Sequence, residues 1–213
     1  GSPYPLDRSS DRRGSVGAAS YISRMTRVVY YTAATVDGFI ADASDSLDWL
    51  FTVPDAAEAE AGIDAFMDRI GVLVEGSTTY EWGVGNDQLL EHPEKWAQFY
   101  ANRPTFVFTS RSLIAVPGAD IRFRSGAIVD TWSEIVAAAG EKDVWVVGGG
   151  DLAGQFADAG LLDEIVLSVA PVALGSGRAL LPRRLESDRL SLEGVRRVGQ
   201  FAELTYSVDK SKR

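Results

Sequence analysis

The chain lacks cysteine and has a single histidine, His92, among its 213 residues. Without a thiol there is no thiolate nucleophile and no cysteine ligand for zinc. A Ser-His dyad is likewise excluded unless it uses His92. We therefore expect neither hydrolytic triad chemistry nor a metal site. Disulfides are not needed for a core, because a chain of this length buries roughly 70% of the surface that it exposes when unfolded.

Basic side chains are also scarce: 21 Lys and Arg stand against 30 Asp and Glu, a net charge of -9. Nonspecific binding to nucleic acid or to an anionic membrane requires a basic surface. The longest apolar runs, VWVVGGG and IVLSVAPVALG, are too short to span a bilayer. We therefore expect a cytoplasmic protein with no nucleic-acid or membrane partner. A small anionic ligand remains compatible, because it needs only a few local donors.

The first 24 residues differ in composition from the rest of the chain. They are polar, rich in Gly and Ser and without hydrophobic periodicity, and the opening Gly-Ser resembles the remnant of an expression tag. We expect residues 1–24 to be a disordered leader, with a native start at Met25. Residues 25–213 are then expected to form a single domain.

Short apolar segments alternate with amphipathic ones in the remaining chain. β-Branched and aromatic runs predict strands at 27–35, 71–76, 104–110, 121–124 and 144–150, followed by closing strands at 163–174 and 202–209. Helical spacing and capping residues predict helices at 55–70, from residue 77, at 131–140 and at 151–160. This alternation predicts an α/β fold with flanking helices, a mostly parallel central sheet and an antiparallel C-terminal edge.

A buried strand followed by three glycines, Gly148, Gly149 and Gly150, is the strongest single feature. Glycine lets the backbone approach a phosphate closely, and the following helix directs its first amides at the anion. A tight strand-to-helix turn without a ligand is the alternative interpretation. The dinucleotide fingerprint G-x-G-x-x-G is not met, because Gly154 comes one residue too late. A Rossmann dehydrogenase is thus disfavoured.

Five segments in a fixed order carry a more specific resemblance: AATVDGFIA, VLVEGSTTYE, PTFVFTSR, VWVVGGGDLAGQF and PVALGSGRALLP. Together they resemble the dihydrofolate reductase superfamily. The last segment resembles the branch that contains the reductase domain of the riboflavin-biosynthesis deaminase-reductases. The resemblance covers residues 27 to 208. It implies a three-layer dihydrofolate reductase-like fold and NADPH as the cofactor.

The resemblance assigns a set of positions to the cofactor. The turn that begins at Gly76 is implied to hold the pyrophosphate. The turn formed by Gly148, Gly149 and Gly150 is implied to hold the phosphate and ribose on the nicotinamide side. Ser110 and Arg111 are implied to hold the adenosine phosphate that distinguishes NADPH from NADH. A solvated loop arginine is the alternative for Arg111. The full set is Ala34, Ile40, Gly76, Ser77, Thr78, Thr79, Thr109, Ser110, Arg111, Val147, Gly148, Gly149, Gly150, Asp151 and Leu152.

Asp37 and Glu60 are the catalytic candidates that the resemblance implies. Asp37 is expected to orient a substrate amine or hydroxyl. Glu60 is expected to take the place of the acid that protonates the pterin in dihydrofolate reductases. A plain Asp-Gly turn and a surface glutamate are the alternatives. Substrate contacts are expected from Gly38, Trp49 and Arg178, where Trp49 either stacks on a planar ring or fills the core.

The implied reaction is reduction of a C=N or C=O group in a small heterocyclic or sugar-derived substrate. It is similar to that of 5-amino-6-(5-phosphoribosylamino)uracil reductase. Arg178, Arg183 and Arg184 are the cations expected for a substrate phosphate, with a solvated basic turn as the alternative. A dihydrofolate reductase and a non-catalytic NADPH-binding paralogue stay open. We also expect a homodimer, because the apolar closing strands offer an interface.

Overall fold

The structure is a computed structural model that describes residues 25–54, 56 and 63–212. Its strands are β1 (Val28–Thr35), β2 (Phe39–Ala41), β3 (Ile70–Gly76), β4 (Thr105–Phe108), β5 (Ile121–Arg124), β6 (Asp143–Gly148), β7 (Glu164–Ala170), β8 (Arg178–Ala179), β9 (Leu190–Val198) and β10 (Phe201–Val208). Its described helices are α1 (Asp48–Phe51), α2 (Ile63–Asp68), α3 (Ser77–Asn86), α4 (Glu94–Tyr100), α5 (Ile128–Ala139) and α6 (Gly150–Asp158). None of these helices has the length and apolarity needed to cross a membrane.

Eight of the strands form one sheet in the order β5-β4-β3-β6-β1-β7-β10-β9, and β2 pairs with β8 beside it. All neighbours from β5 to β7 are parallel, whereas β10 is antiparallel to both β7 and β9. The predicted parallel sheet with an antiparallel C-terminal edge is therefore confirmed.

The sheet is covered by helices on both faces, because side chains alternate along its strands. In β6, Val144 and Val146 pack into the cluster that contains Ile135 of α5 and Phe156 of α6. Trp145, between them, packs instead with α2 and the other face of β3. The predicted three-layer α/β arrangement is confirmed.

Several predicted boundaries are wrong. The strand expected at 163–174 ends at Ala170, and the helix expected at 151–160 ends at Asp158. Two further helix boundaries also differ. The first helix ends at Asp68, and Ile70 is the fully buried first residue of β3. Residues 55 and 57–62 of this predicted helix, including Glu60, lie outside the described residues. The helix expected from Thr131 begins at Ile128, and Thr131 is buried inside it. Burial of Ile128 with Ile135 against the sheet extends the helix beyond its local capping signal.

The amino ends of β6 and β7 carry two buried acids, Asp143 and Glu164. The Arg69 guanidinium lies 3.2 Å from the Asp143 carboxylate and 2.9 Å from that of Glu164. Arg27 lies 2.9 Å from Glu164. Buried charges need partners, and these ion pairs supply them at the edge opposite the carboxyl ends of the strands.

Glu75, near the carboxyl end of β3, is a buried acid, with 4% of its surface exposed. Its neighbours in the sheet are Val107 and Gly148, which carry no charge. Burial raises the pKa of Glu75 to about 8. The carboxyl is therefore protonated and neutral at pH 7.

This raised pKa predicts how stability changes with pH. Between the reference pKa of 4.5 and about 8 the unfolded chain loses a proton that the folded chain keeps. The contribution of Glu75 to the free energy of unfolding is therefore most favourable below pH 4.5, falls by a few kcal/mol toward pH 8 and then levels off. We expect Glu75→Gln to remove this component, as measured by urea unfolding across that pH range.

The exposed Glu141, which follows α5, provides the matched control, since Glu141→Gln should leave the pH dependence as in the wild type. Parallel pH profiles for the wild type and Glu75→Gln would contradict the assignment.

Candidate functional site

A cleft of about 700 Å³ opens at the carboxyl ends of β1, β3 and β6. Ligands of open α/β sheets bind at this edge, because helix N-termini and loops converge there. The cleft brings together ten of the residues predicted from the sequence. They are Ile40, Trp49, Thr78, Thr79, Val147, Gly148, Gly149, Gly150, Asp151 and Arg178.

Two helices begin side by side at this cleft. α3 follows β3 and α6 follows β6, and these strands are neighbours that pair Glu75 with Gly148. The N-cap residues are Gly76 and Gly149, both in extended conformation, and a glycine has no side chain to cap a helix. The first amides of both helices thus remain available to an anion, and the helix dipoles favour one there.

The glycines of the turn after β6 have different packing roles. A Cβ at Gly148 would lie 3.0 Å from the Thr79 hydroxyl, and one at Gly150 would lie 2.2 Å from the carbonyl oxygen of Ala179. A Cβ at Gly149 or at Gly76 would meet nothing within 4 Å. Packing inside the protein thus requires Gly150, whereas Gly76 and Gly149 leave open space beside the helix N-termini. The peptide bond between Gly148 and Gly149 is cis.

The segment from residue 177 to 182 covers one side of the cleft. Its strand β8 pairs with β2, matching Ala179 to Phe39. A Cβ at Gly177 would lie 2.1 Å from the carbonyl oxygen of Ala41, so this close approach also requires glycine. Arg178 donates to both carboxylate oxygens of Asp45, at 2.5 and 2.9 Å.

Asp37, the predicted substrate-orienting residue, is exposed and holds two loops together. Its carboxylate accepts hydrogen bonds from the Thr35 hydroxyl at 2.5 Å and from the backbone amides of Gly175 and Leu174 at 2.7 and 3.2 Å. The Thr35 and Gly175 hydrogen bonds lower the pKa of Asp37. The next residue, Gly38, has a φ of +84° and closes the turn. Neither residue is among those that line the cleft.

Thr109, Ser110 and Arg111 lie directly after β4, two strands away from β6. The Thr109 hydroxyl accepts from the Arg111 amide at 2.9 Å. Arg111 donates to both carboxylate oxygens of Glu81 on α3, at 3.0 and 2.5 Å. The structure thus places this trio beside α3 but outside the lining of the cleft.

Three further residues predicted to contact the cofactor do not line the cleft. Ala34 and Leu152 are buried, and Ser77 is the first residue of α3. Ala34 and Leu152 therefore support the cleft from behind its surface.

Trp49 of α1 lines the cleft with only 8% of its surface exposed. Its indole Nε1 is buried and has no hydrogen-bond partner in the described structure. A buried donor without an acceptor is destabilising, so a ligand acceptor at this position would be favoured.

The sequence does not predict several lining residues, among them Thr32, Ala33 and Trp82. Trp82 lies three and four residues after Thr79 and Thr78 on α3, a spacing that puts all three on one helix face. This spacing is a signal that could have identified it. Its ring is stacked on that of Phe51, with centroids 6.3 Å apart and 14° between planes.

A second, smaller cavity of about 270 Å³ adjoins the cleft and shares Thr32, Ala33, Leu50 and Val147 with it. Its remaining walls are mostly aromatic and apolar. They are Tyr31, Phe51, Ala56, Ile63, Trp145, Ser168 and Phe201. We call it the inner cavity.

The described residues contain no cluster of three or more His, Asp or Glu side chains that could hold a metal ion.

Residues 92–202 match the family model of the RibD C-terminal domain. The uncharacterized protein YwjB of Bacillus subtilis is 24% identical over 180 residues, which cover 84% of this chain and 97% of YwjB. The riboflavin biosynthesis protein RibD of Corynebacterium ammoniagenes is 27% identical over 173 residues. That match covers 76% of this chain and 48% of RibD, so the chain spans about half of RibD.

Solved structures share the fold. A putative riboflavin biosynthesis protein from Shewanella sp. PV-4 superimposes with a TM-score of 0.66 and 27% identity, over 86% of this chain and 99% of that one. Dihydrofolate reductase from Enterococcus faecalis, solved with NADP(H), gives a TM-score of 0.54 and 15% identity, over 86% and 96% of the two chains. The predicted dihydrofolate reductase-like fold is therefore confirmed.

The packing at Gly150 gives a direct stability prediction. We expect Gly150→Ala to lower the free energy of unfolding by about 1–3 kcal/mol, because the new methyl group collides with backbone carbonyls that cannot move independently. Chemical denaturation monitored by tryptophan fluorescence measures the loss.

Gly83→Ala in α3 is the control, since a Cβ there meets nothing within 4 Å. It should be neutral or stabilising by up to about 1 kcal/mol, as alanine favours helix. Equal stability of the wild type and Gly150→Ala would refute the close approach.

Proposed function

Because this chain belongs to the family of the RibD C-terminal domain, we propose that it is an NADPH-dependent reductase. Its reaction is reduction of a C=N or C=O group in a small heterocyclic or sugar-derived substrate. The observation that carries this proposal is the pair of helix N-termini that open, through glycine N-caps, onto one cleft.

The donor set at the cleft fits a dinucleotide diphosphate. Two neighbouring helix N-termini offer backbone amides to two phosphates, and the Thr78 and Thr79 hydroxyls lie on the same wall. Gly76 and Gly149 leave the space that a close phosphate needs. In this proposal the cofactor lies across the ends of β3 and β6, with its adenosine phosphate toward Ser110 and Arg111.

The nicotinamide end of the cofactor is proposed to lie toward β1, among Ile40, Trp49 and Val147. When bound there, NADPH supplies a hydride, and the protein supplies orientation and exclusion of water. The apolar walls favour a neutral ring, and the unpartnered Trp49 Nε1 favours an acceptor such as a ring carboxamide oxygen. The inner cavity, directly beside this end, is proposed to hold the substrate.

Asp37 is proposed to act as a positioning residue. Its lowered pKa means that the carboxylate is ionised at neutral pH and does not hold a proton to donate. Its hydrogen bonds instead fix residues 174 and 175, which precede the segment that covers the cleft. The proposed role of Glu60 as an acid concerns a residue outside the described ones.

A homodimer is also part of this proposal. The outer strand β9 exposes Leu192 and Val195, and apolar side chains on an edge strand favour contact with a second copy.

A Gly76→Ala variant tests the diphosphate site. We expect NADPH affinity to fall by roughly tenfold or more, because the methyl group occupies the space beside the α3 amides. The free energy of unfolding should fall by no more than about 1 kcal/mol, since a Cβ at Gly76 touches nothing and the backbone is extended, although alanine is a poorer N-cap than glycine. Nicotinamide fluorescence titration measures the affinity.

Gly85→Ala, near the other end of α3, is the matched control and should bind NADPH as the wild type does. If the wild type binds neither NADPH nor NADH, the reductase proposal fails.

An Arg111→Ala variant tests cofactor choice. We expect NADPH binding to weaken by about tenfold to a hundredfold while NADH binding is unchanged, because a charged hydrogen bond to the adenosine phosphate is lost. Arg111 must leave Glu81 to make this contact. Glu81→Gln, which weakens that competing ion pair, should bind NADPH as tightly as the wild type or more tightly. Equal losses for both cofactors in Arg111→Ala would exclude the proposed contact.

A further inference from the structure

The inner cavity has an uncharged lining in the part of the chain that the structure describes. None of its eleven described residues is Lys, Arg, His, Asp or Glu. Tyr31 is its titratable group, and its hydroxyl donates to Glu203 at 2.9 Å. Burial is the main cause that raises the pKa of Tyr31, so the phenol stays neutral.

The chain around this cavity is acidic. Residues 28–68 supply β1, α1 and α2 and contain no Lys, Arg or His. The described part of this segment contains six acids, of which Asp45 is paired with Arg178: Asp37, Asp42, Asp45, Asp48, Asp64 and Asp68. An anion that enters past these elements meets repulsion and no cation from them, and Arg196, which lies near Tyr31, is already paired with Glu203.

The arginines expected to hold a substrate phosphate are already paired. Arg178 holds Asp45 through two hydrogen bonds. Arg183 donates to Asp158 at 2.7 Å and to Asp151 at 3.0 Å. Arg184 pairs with Glu186 on the surface. A substrate phosphate would therefore have to displace a carboxylate to gain any of these three cations.

We infer that the substrate of this site is a flat carbonyl or imine compound without phosphate or carboxylate, held in the inner cavity. This inference rests on the proposed function. Burying an unpaired phosphate is strongly unfavourable, whereas a flat ring gains contact with Tyr31, Trp145 and Phe201. The chain thereby differs from a reductase whose substrate carries a phosphoribosyl group.

The first test compares aromatic aldehydes with a neutral or an anionic para substituent: para-nitrobenzaldehyde, para-carboxybenzaldehyde and para-formylphenyl phosphate. Binding to the full chain is followed by quenching of tryptophan fluorescence, because Trp145 forms part of the cavity wall. NADPH oxidation is followed separately. We expect the neutral aldehyde to bind at least roughly tenfold more tightly than either anion.

Equal or tighter binding of an anion, or no quenching by the neutral aldehyde, overturns the inference. Failure of the proposed function gives a different result. In that case NADPH does not bind, while the neutral aldehyde still binds in preference to the anions.

A charge introduced at the mouth provides the second test. Phe51 lines the inner cavity and is 60% exposed, so Phe51→Arg adds a cation there without burying it. We expect this variant to shift the preference toward para-carboxybenzaldehyde by roughly tenfold. Val129→Arg on α5 is the control, since Val129 is 59% exposed and α5 packs on the opposite face of the sheet. A preference that stays the same in Phe51→Arg, or shifts equally in both variants, contradicts the inference.

Discussion

The carbonyl oxygens of Ala179 and Leu180 approach Gly150 so closely that a Cβ there would lie 2.2 and 2.6 Å from them. A second approach of this kind joins Gly177 to the Ala41 carbonyl, where the distance would be 2.1 Å. Both contacts are between backbones, and only glycine permits them. They hold the segment from residue 177 to 182 against the start of α6 and against β2. The cleft owes its depth to this arrangement, because the segment forms a wall that the ends of the parallel strands alone do not provide.

Charge is distributed unequally between the two edges of the sheet. At the amino edge, Asp143 and Glu164 are buried with arginines beside them, which is the arrangement that makes a buried acid tolerable. At the carboxyl edge, the attraction for an anion comes from backbone amides of α3 and α6. Glu75 lies near that edge, yet burial keeps it neutral at pH 7, so it does not repel a phosphate held by the residues that follow it. Backbone dipoles can thus hold a diphosphate in a chain whose net charge is -9.

The sequence predicts those parts of the fold that carry a strong local pattern. β1 and β6 are continuous apolar runs, and the glycines after β6 mark the turn into α6, so strand, turn and helix are all predicted correctly. β9 is not predicted, because LSLEGVRRV mixes charges and a glycine into an exposed edge strand. The ion pair between Arg178 and Asp45 is not predicted from the sequence either, because the partners are 133 residues apart. The sequence also does not show that backbone packing requires glycine at position 150 but not at position 149, because this depends on how distant segments pack.

The three arginines between residues 178 and 184 suggest different roles in the sequence and in the structure. In the sequence, Arg178, Arg183 and Arg184 form a basic cluster that suggests a phosphate site. In the structure, Arg178 joins the covering segment to the loop before α1, and Arg183 joins it to α6. Exposed ion pairs of this type contribute about 1 kcal/mol or less each. The covering segment is therefore held mainly by glycine-permitted backbone contacts and oriented by ion pairs that water can replace at little cost. A ligand can thus displace these arginines from their acids without unfolding the wall, but an anionic ligand must compete with a carboxylate at each of them.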